Sequence, residues 1–131
     1  MTQPKVLFII DDDRDDQEFL MEALKEIDPS CDCYTAMNGQ EGLKKLENNA
    51  IPFPSLIFLD LNMPRINGQK FLATLKREPR FSSIPVVIYT TSSHQKDIDE
   101  MKQLGAVNYL VKQPDNSLLK ENLSAILSVI L

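Results

Sequence analysis

Val6-Leu7-Phe8-Ile9-Ile10-Asp11-Asp12-Asp13 is the stretch on which the reading of this chain turns. Five apolar residues in an unbroken row describe a short strand covered on both faces, not one that alternates between core and water. The carboxylates come immediately after, so they stand at the carboxyl end of a buried strand.

Working outward, Leu56-Ile57-Phe58-Leu59 and Val86-Val87-Ile88-Tyr89 repeat the continuous apolar pattern, and Val107 to Val111 forms a further run. Cys31 to Met37 alternates more and reads as an edge strand. Helix-period segments lie between these runs. Phe19, Leu20, Ala23, Leu24 and Ile27 make one apolar stripe ended by Asp28-Pro29, and a second helix spans about Gln40 to Leu46 after the Asn38-Gly39 turn. Phe71, Leu72 and Leu75 mark a third, closed by Pro79. Ile98, Met101 and Leu104 mark a fourth, with Gly105 placed as its C′ residue. The last begins near Asn116-Ser117, with Leu119, Leu123, Ile126 and Ile130 as its core stripe. Beside that stripe, Leu118, Ala125 and Val129 form a second apolar strip, which fits either a partner surface or a deeply buried terminal helix.

Strict strand–helix alternation predicts an α/β fold, a (βα)5 three-layer sandwich with a parallel sheet, helices on both faces and right-handed crossovers. Its 131 residues fit a single domain, 1–131. A formal charge of −5 argues against nucleic acid as a partner, since neutralising phosphates takes a basic face. No segment approaches the roughly 20 apolar residues of a membrane span. Cys31 and Cys33, two apart on one strand face, are poorly placed to pair with each other and lack further metal ligands. They read as reduced thiols, and a cytoplasmic location is the resulting expectation.

In open α/β sheets ligands bind beyond the carboxyl ends of the strands, so the residues just past each strand matter most. Asp11, Asp12 and Asp13 come after the first, Asp60 ends the third, Thr90-Thr91-Ser92-Ser93 close the fourth, and Lys112 ends the fifth. Most have an ordinary reading alone, though Asp11 and Asp12, which directly continue a buried strand, fit a helix start less well. Asp13, Asp15 and Asp16 suit a helix N-terminus, Asp60 a cap for the turn at Met63-Pro64, and Lys112 the surface. Their convergence on one sheet end makes those readings improbable together. Carboxylates packed so closely need a cation, and Mg²⁺ suits a site of few carboxylates that also takes a phosphate oxygen.

Ile9-Ile10-Asp11-Asp12-Asp13, Leu59-Asp60-Leu61-Asn62-Met63-Pro64 with Gly68, Ile88-Tyr89-Thr90-Thr91 and Tyr109-Leu110-Val111-Lys112 together resemble the receiver domain of two-component response regulators. The resemblance runs through essentially the whole chain, in order. It implies a flavodoxin-like sheet of order 2-1-3-4-5 and a Mg²⁺ site of Asp11, Asp12, Asp60 and the backbone carbonyl of Asn62. It also implies phosphorylation of Asp60 by a sensor histidine kinase. Thr90 would be the switch hydroxyl, Tyr109 the switch aromatic, and Lys112 the contact to the acyl phosphate. Phosphotransfer would need the metal, and the fourth helix, fifth strand and fifth helix would carry the signal to a protein partner or form a homodimer. Leu75 to Phe81, Ile84 to Val87 and Thr90-Thr91-Ser92 are similar to stand-alone receivers partnered with bacterial phytochrome kinases. With no effector domain after the fifth helix, the expected output is protein contact rather than catalysis.

Two other classes compete. A flavodoxin-like cofactor binder would cradle phosphate after the first strand, where Asp11 to Asp16 would repel it. A small Mg²⁺-dependent phosphohydrolase with an aspartyl nucleophile would want a second acid where Asn62 stands. The chain departs from the receiver pattern once, placing Gln113 between Lys112 and Pro114.

Overall fold

The expected strands form as β1 (Val6–Ile10), β2 (Asp32–Ala36), β3 (Leu56–Leu59), β4 (Val86–Thr90) and β5 (Asn108–Val111). Alternating with them are α1 (Arg14–Ile27), α2 (Gly39–Glu47), α3 (Gly68–Arg77), α4 (Gln95–Gln103) and α5 (Asn116–Ile130). The structure, a computed structural model, describes residues 4–63 and 66–131. Pro64, half of the turn expected at Met63-Pro64, lies outside them.

All strand pairs are parallel and the sheet order is β2-β1-β3-β4-β5. The partly exposed β2 lies at one edge, as its alternation predicts. Within the buried strands, side chains divide by parity. Phe8, Ile10, Ile57, Leu59, Val86 and Ile88 pack with Phe71, Leu72 and Leu75 of α3 and Met101 of α4. Leu7, Ile9, Leu56, Phe58, Val87 and Tyr89 pack with Leu20 and Leu24 of α1 and Leu119, Leu123 and Ile126 of α5. A strand's two-residue period sends neighbours to opposite faces, so an unbroken apolar run supplies both layers of core.

Four helices begin at side-chain caps that satisfy otherwise unpaired N–H groups. Asp13 accepts from Asp16 N, Asn38 from Glu41 N, Asn67 from Lys70 N, and Asp115 from Ser117 N and Leu118 N. His94, which precedes α4, makes no such bond. Only Met101 of that helix is buried. Gly105 closes α4 at φ +106°, in the left-handed region the C′ position demands.

The second apolar strip on α5 is open. Val129 is 85% exposed and Leu118 39% exposed, and Ala125 is also exposed, so the chain does not bury this face itself. Cys31 is buried, Cys33 is half-buried, and both thiols are free. No helix among the described residues is long and apolar enough to cross a membrane.

Candidate functional site

The carboxyl ends of β1, β3, β4 and β5 meet around three aspartates. Asp11 continues β1 and is fully buried; Asp60 continues β3 and is 6% exposed; Asp12 is exposed beside them. One carboxylate oxygen from each lies within 4.8 Å of the others. Backbone bonds hold the strand ends in place: Asp11 N donates to Ala36 O at 3.1 Å and Asp60 N to Ile10 O at 3.0 Å. Asp11 Oδ1 accepts from Asp13 N at 2.9 Å, linking the first acid to the start of α1.

Lys112 arrives from β5, its backbone N–H bonded to Thr90 O at 2.7 Å. The inserted Gln113 therefore leaves the lysine in register. Its Nζ lies 2.8 Å from Asp11 Oδ2, 2.7 Å from Asp16 Oδ2 and 3.6 Å from Asp60 Oδ2. The Asp16 contact is a hydrogen bond. The Asp11 contact is a close ion pair, and Asp11 Oδ2, buried, takes no hydrogen bond besides that ammonium among the described residues. Burial pushes the Asp11 carboxyl up to about 6, against the opposing pull of Lys112. For the Lys112 ammonium, burial acts downward, but bonding to Asp11 and Asp16 outweighs it and the net shift is upward.

Two buried carboxylates and a third at hand, each offering an oxygen to the same small space, fit a hard divalent cation. Thr90 is fully buried and its Oγ1 has no partner among the described residues. Tyr109, half-buried, donates its hydroxyl to Ser92 O at 2.9 Å, and Ser92 Oγ meets Asp97 Oδ2 of α4 at 2.5 Å. Burial raises the Tyr109 phenol above its ordinary value. Asn62 is exposed, with its backbone N–H 3.4 Å from Asp60 Oδ1. The structure thus brings Asp11, Asp12, Asp60 and Lys112 into one cluster, with Asn62 at its edge, while Tyr109 is tied to the β4–α4 loop.

Two participants escape the sequence reading. Asp16, read there only as decoration of a helix start, holds Lys112 from 96 residues away. Gln17 is 4% exposed, and its Nε2 donates to Asp11 O at 2.7 Å and Ala36 O at 3.0 Å, binding the ends of β1 and β2 together. Their places in the first turn of the helix after β1, beside the strand ends, are the available signal. A polar residue there points to the sheet end as readily as to water.

Comparison with known proteins places the sequence and fold in a family. The sequence profile of the response regulator receiver domain matches residues 7–124. The chain is 35% identical over 115 residues to response regulator Rcp1 of Synechocystis, covering 83% of this chain and 77% of that protein. The phosphorylated cyanobacterial phytochrome response regulator RcpA is similar in structure, with a TM-score of 0.84 and 31% identity, covering 94% of this chain and 91% of that one. The Mn²⁺-bound form of Rcp1 gives a TM-score of 0.79 at 30% identity, over 95% of this chain and 93% of that one.

Proposed function

This chain belongs to the response-regulator receiver family, and from that premise we propose that it is a Mg²⁺-dependent phosphoacceptor modified on Asp60. The observation that carries this reading is the setting of Asp60. It is a buried carboxylate at a strand end, clustered with Asp11 and Asp12 and facing the Lys112 ammonium at 3.6 Å.

Asp60 acts as the nucleophile, its carboxylate oxygen forming a bond to phosphorus as the bond to the donor's leaving group breaks. The donor is the phosphohistidine of a sensor histidine kinase or a small acyl phosphate. Asp11, Asp12, Asp60 and the Asn62 carbonyl would hold the metal. Bound there, Mg²⁺ supplies charge neutralisation for the phosphoryl oxygens. Lys112 offers a second positive charge from within the chain, pre-aimed at the acceptor.

Thr90 and Tyr109 form the switch. The unpartnered Thr90 hydroxyl is free to bond a phosphoryl oxygen. Tyr109 links through Ser92 to α4, so a shift in that loop reaches the α4-β5-α5 surface. The open strip of Leu118, Ala125 and Val129 makes the same surface a candidate for homodimer contact. Similarity to the phytochrome response regulator RcpA favours a phytochrome kinase as the phosphoryl source. Residues 1–131 then act as one receiver unit in the cytoplasm.

Intact-protein mass after incubation with acetyl phosphate, with and without Mg²⁺, tests the reading. The parent should gain one phosphoryl group only with the metal, and Asp60→Asn should gain none. The same gain in Asp60→Asn would move the acceptor to Asp11–Asp13. A parent that neither gains mass nor binds beryllofluoride would overturn the reading.

A further inference from the structure

We propose that Asp16 is a positioning residue for this chemistry, holding the Lys112 ammonium in place while the neighbouring carboxylates serve a metal. The proposal rests on the receiver reading and extends it to a residue outside the acidic cluster.

Lys112 is shared among three acids. Its Nζ faces Asp11 at 2.8 Å, Asp16 at 2.7 Å and Asp60 at 3.6 Å. Asp11 and Asp60 belong to the cluster of oxygens that would surround a dication; Asp16 does not. A dication withdraws charge from its carboxylate ligands and repels an ammonium nearby. The hold of Asp11 and Asp60 on Lys112 therefore weakens when the metal is held. Asp16 is then the carboxylate left to anchor the lysine, and its contact already has hydrogen-bond geometry.

The anchor is also well placed mechanically. Asp16 stands in the first turn of α1, with its own N–H capped by Asp13 Oδ1 at 3.1 Å. Asp13 N in turn bonds Asp11 Oδ1, so the anchor and the first acid are linked through one hydrogen-bonded turn. On another side of Lys112, the Tyr89 ring centroid lies 5.5 Å from Nζ. The lysine side chain is 10% exposed, whereas that of Asp16 is 37% exposed. The lysine is thus enclosed, and its anchor sits at the mouth of the site.

A cycle of full-length Asp16→Asn, Lys112→Met and the double variant tests this, because a residue acting through Lys112 has no effect once Lys112 is gone. At saturating Mg²⁺ and acetyl phosphate, Asp16→Asn should slow phosphorylation about tenfold, the scale of losing one charge-assisted hydrogen bond at a partly exposed site. In the Lys112→Met background the same change should leave the rate where it is. A second arm needs no phosphodonor: the Lys112 ammonium resonance of ¹⁵N-labelled protein, assigned by its absence in Lys112→Met. It should persist in the parent at saturating Mg²⁺ and broaden away in Asp16→Asn only after the metal is added. An unchanged rate in Asp16→Asn, an equal slowing in both backgrounds, or a resonance in Asp16→Asn matching the parent's with metal would each overturn the proposal. So would loss of the parent's resonance on adding Mg²⁺. A parent that never takes up phosphate would defeat the receiver reading, while the resonance would still decide the role of Asp16.

Discussion

Gly68→Ala is the perturbation that best probes how the fold supports Asp60. Gly68 opens α3 and its N–H bonds Leu61 O at 3.0 Å, so the helix start lies directly against the acceptor's strand end. A Cβ built there would come within 2.7 Å of Asp60 O and 2.7 Å of Leu61 Cα. Both are backbone atoms, which cannot rotate aside as a side-chain tip can. Overpacking of this kind costs about 1–3 kcal/mol. Against it stands the helix propensity alanine gains over glycine, roughly 0.5–1 kcal/mol. The net expectation is a loss centred on about 1 kcal/mol, or roughly 3–5 °C in Tm for a domain of this size. Since the displaced atom is the carbonyl of Asp60 itself, phosphorylation should also slow about tenfold, as sub-ångström misplacement of a reacting group does. Thermal melts monitored by circular dichroism, and acetyl phosphate kinetics monitored by mass, give the two numbers. Gly105→Ala is the control: its strained φ of +106° should cost about 1 kcal/mol of stability, with the phosphorylation rate unchanged. A Gly68→Ala protein with the parent's Tm and rate would refute the close-approach argument. A lower Tm with an unchanged rate would refute its link to Asp60.

Three further outcomes are expected. Gln17→Leu keeps the volume but removes the donor shared by Asp11 O and Ala36 O, and should destabilise by about 1–3 kcal/mol in denaturant unfolding. Burial raises the Asp11 carboxyl from 3.8 to about 6 in the metal-free protein, so between those values the folded chain holds more proton than the unfolded one. This group therefore costs the metal-free fold stability as pH rises through that window. A bound cation replaces the proton, so the Tm increase on adding Mg²⁺ should grow between about pH 5 and about pH 7. Val129→Glu, at a side chain 85% exposed, should change monomer stability by no more than about 0.5 kcal/mol, spare phosphorylation, and disrupt an α4-β5-α5 dimer in light scattering; an unchanged dimer mass would count against that surface.

Much of this protein is legible in its sequence because it is written in local patterns. Unbroken apolar runs at Val6–Ile10 and Val86–Tyr89 specify buried parallel strands, and the apolar spacing between runs specifies helices. Element order then places Asp11, Asp12, Asp60 and Lys112 at one sheet end, since every strand of a parallel sheet ends on the same side. The tertiary structure alone decided which partner each polar group takes. Asp16 could equally have faced water at a helix start, and its bond to Lys112 depends on how α1 packs beside the end of β5, 96 residues away. The outer strip of α5 likewise read as core or surface from its composition. Its exposure at Val129 results from how the helix is rotated against α1 and the sheet, an angle set by the sum of core contacts rather than by any window of sequence.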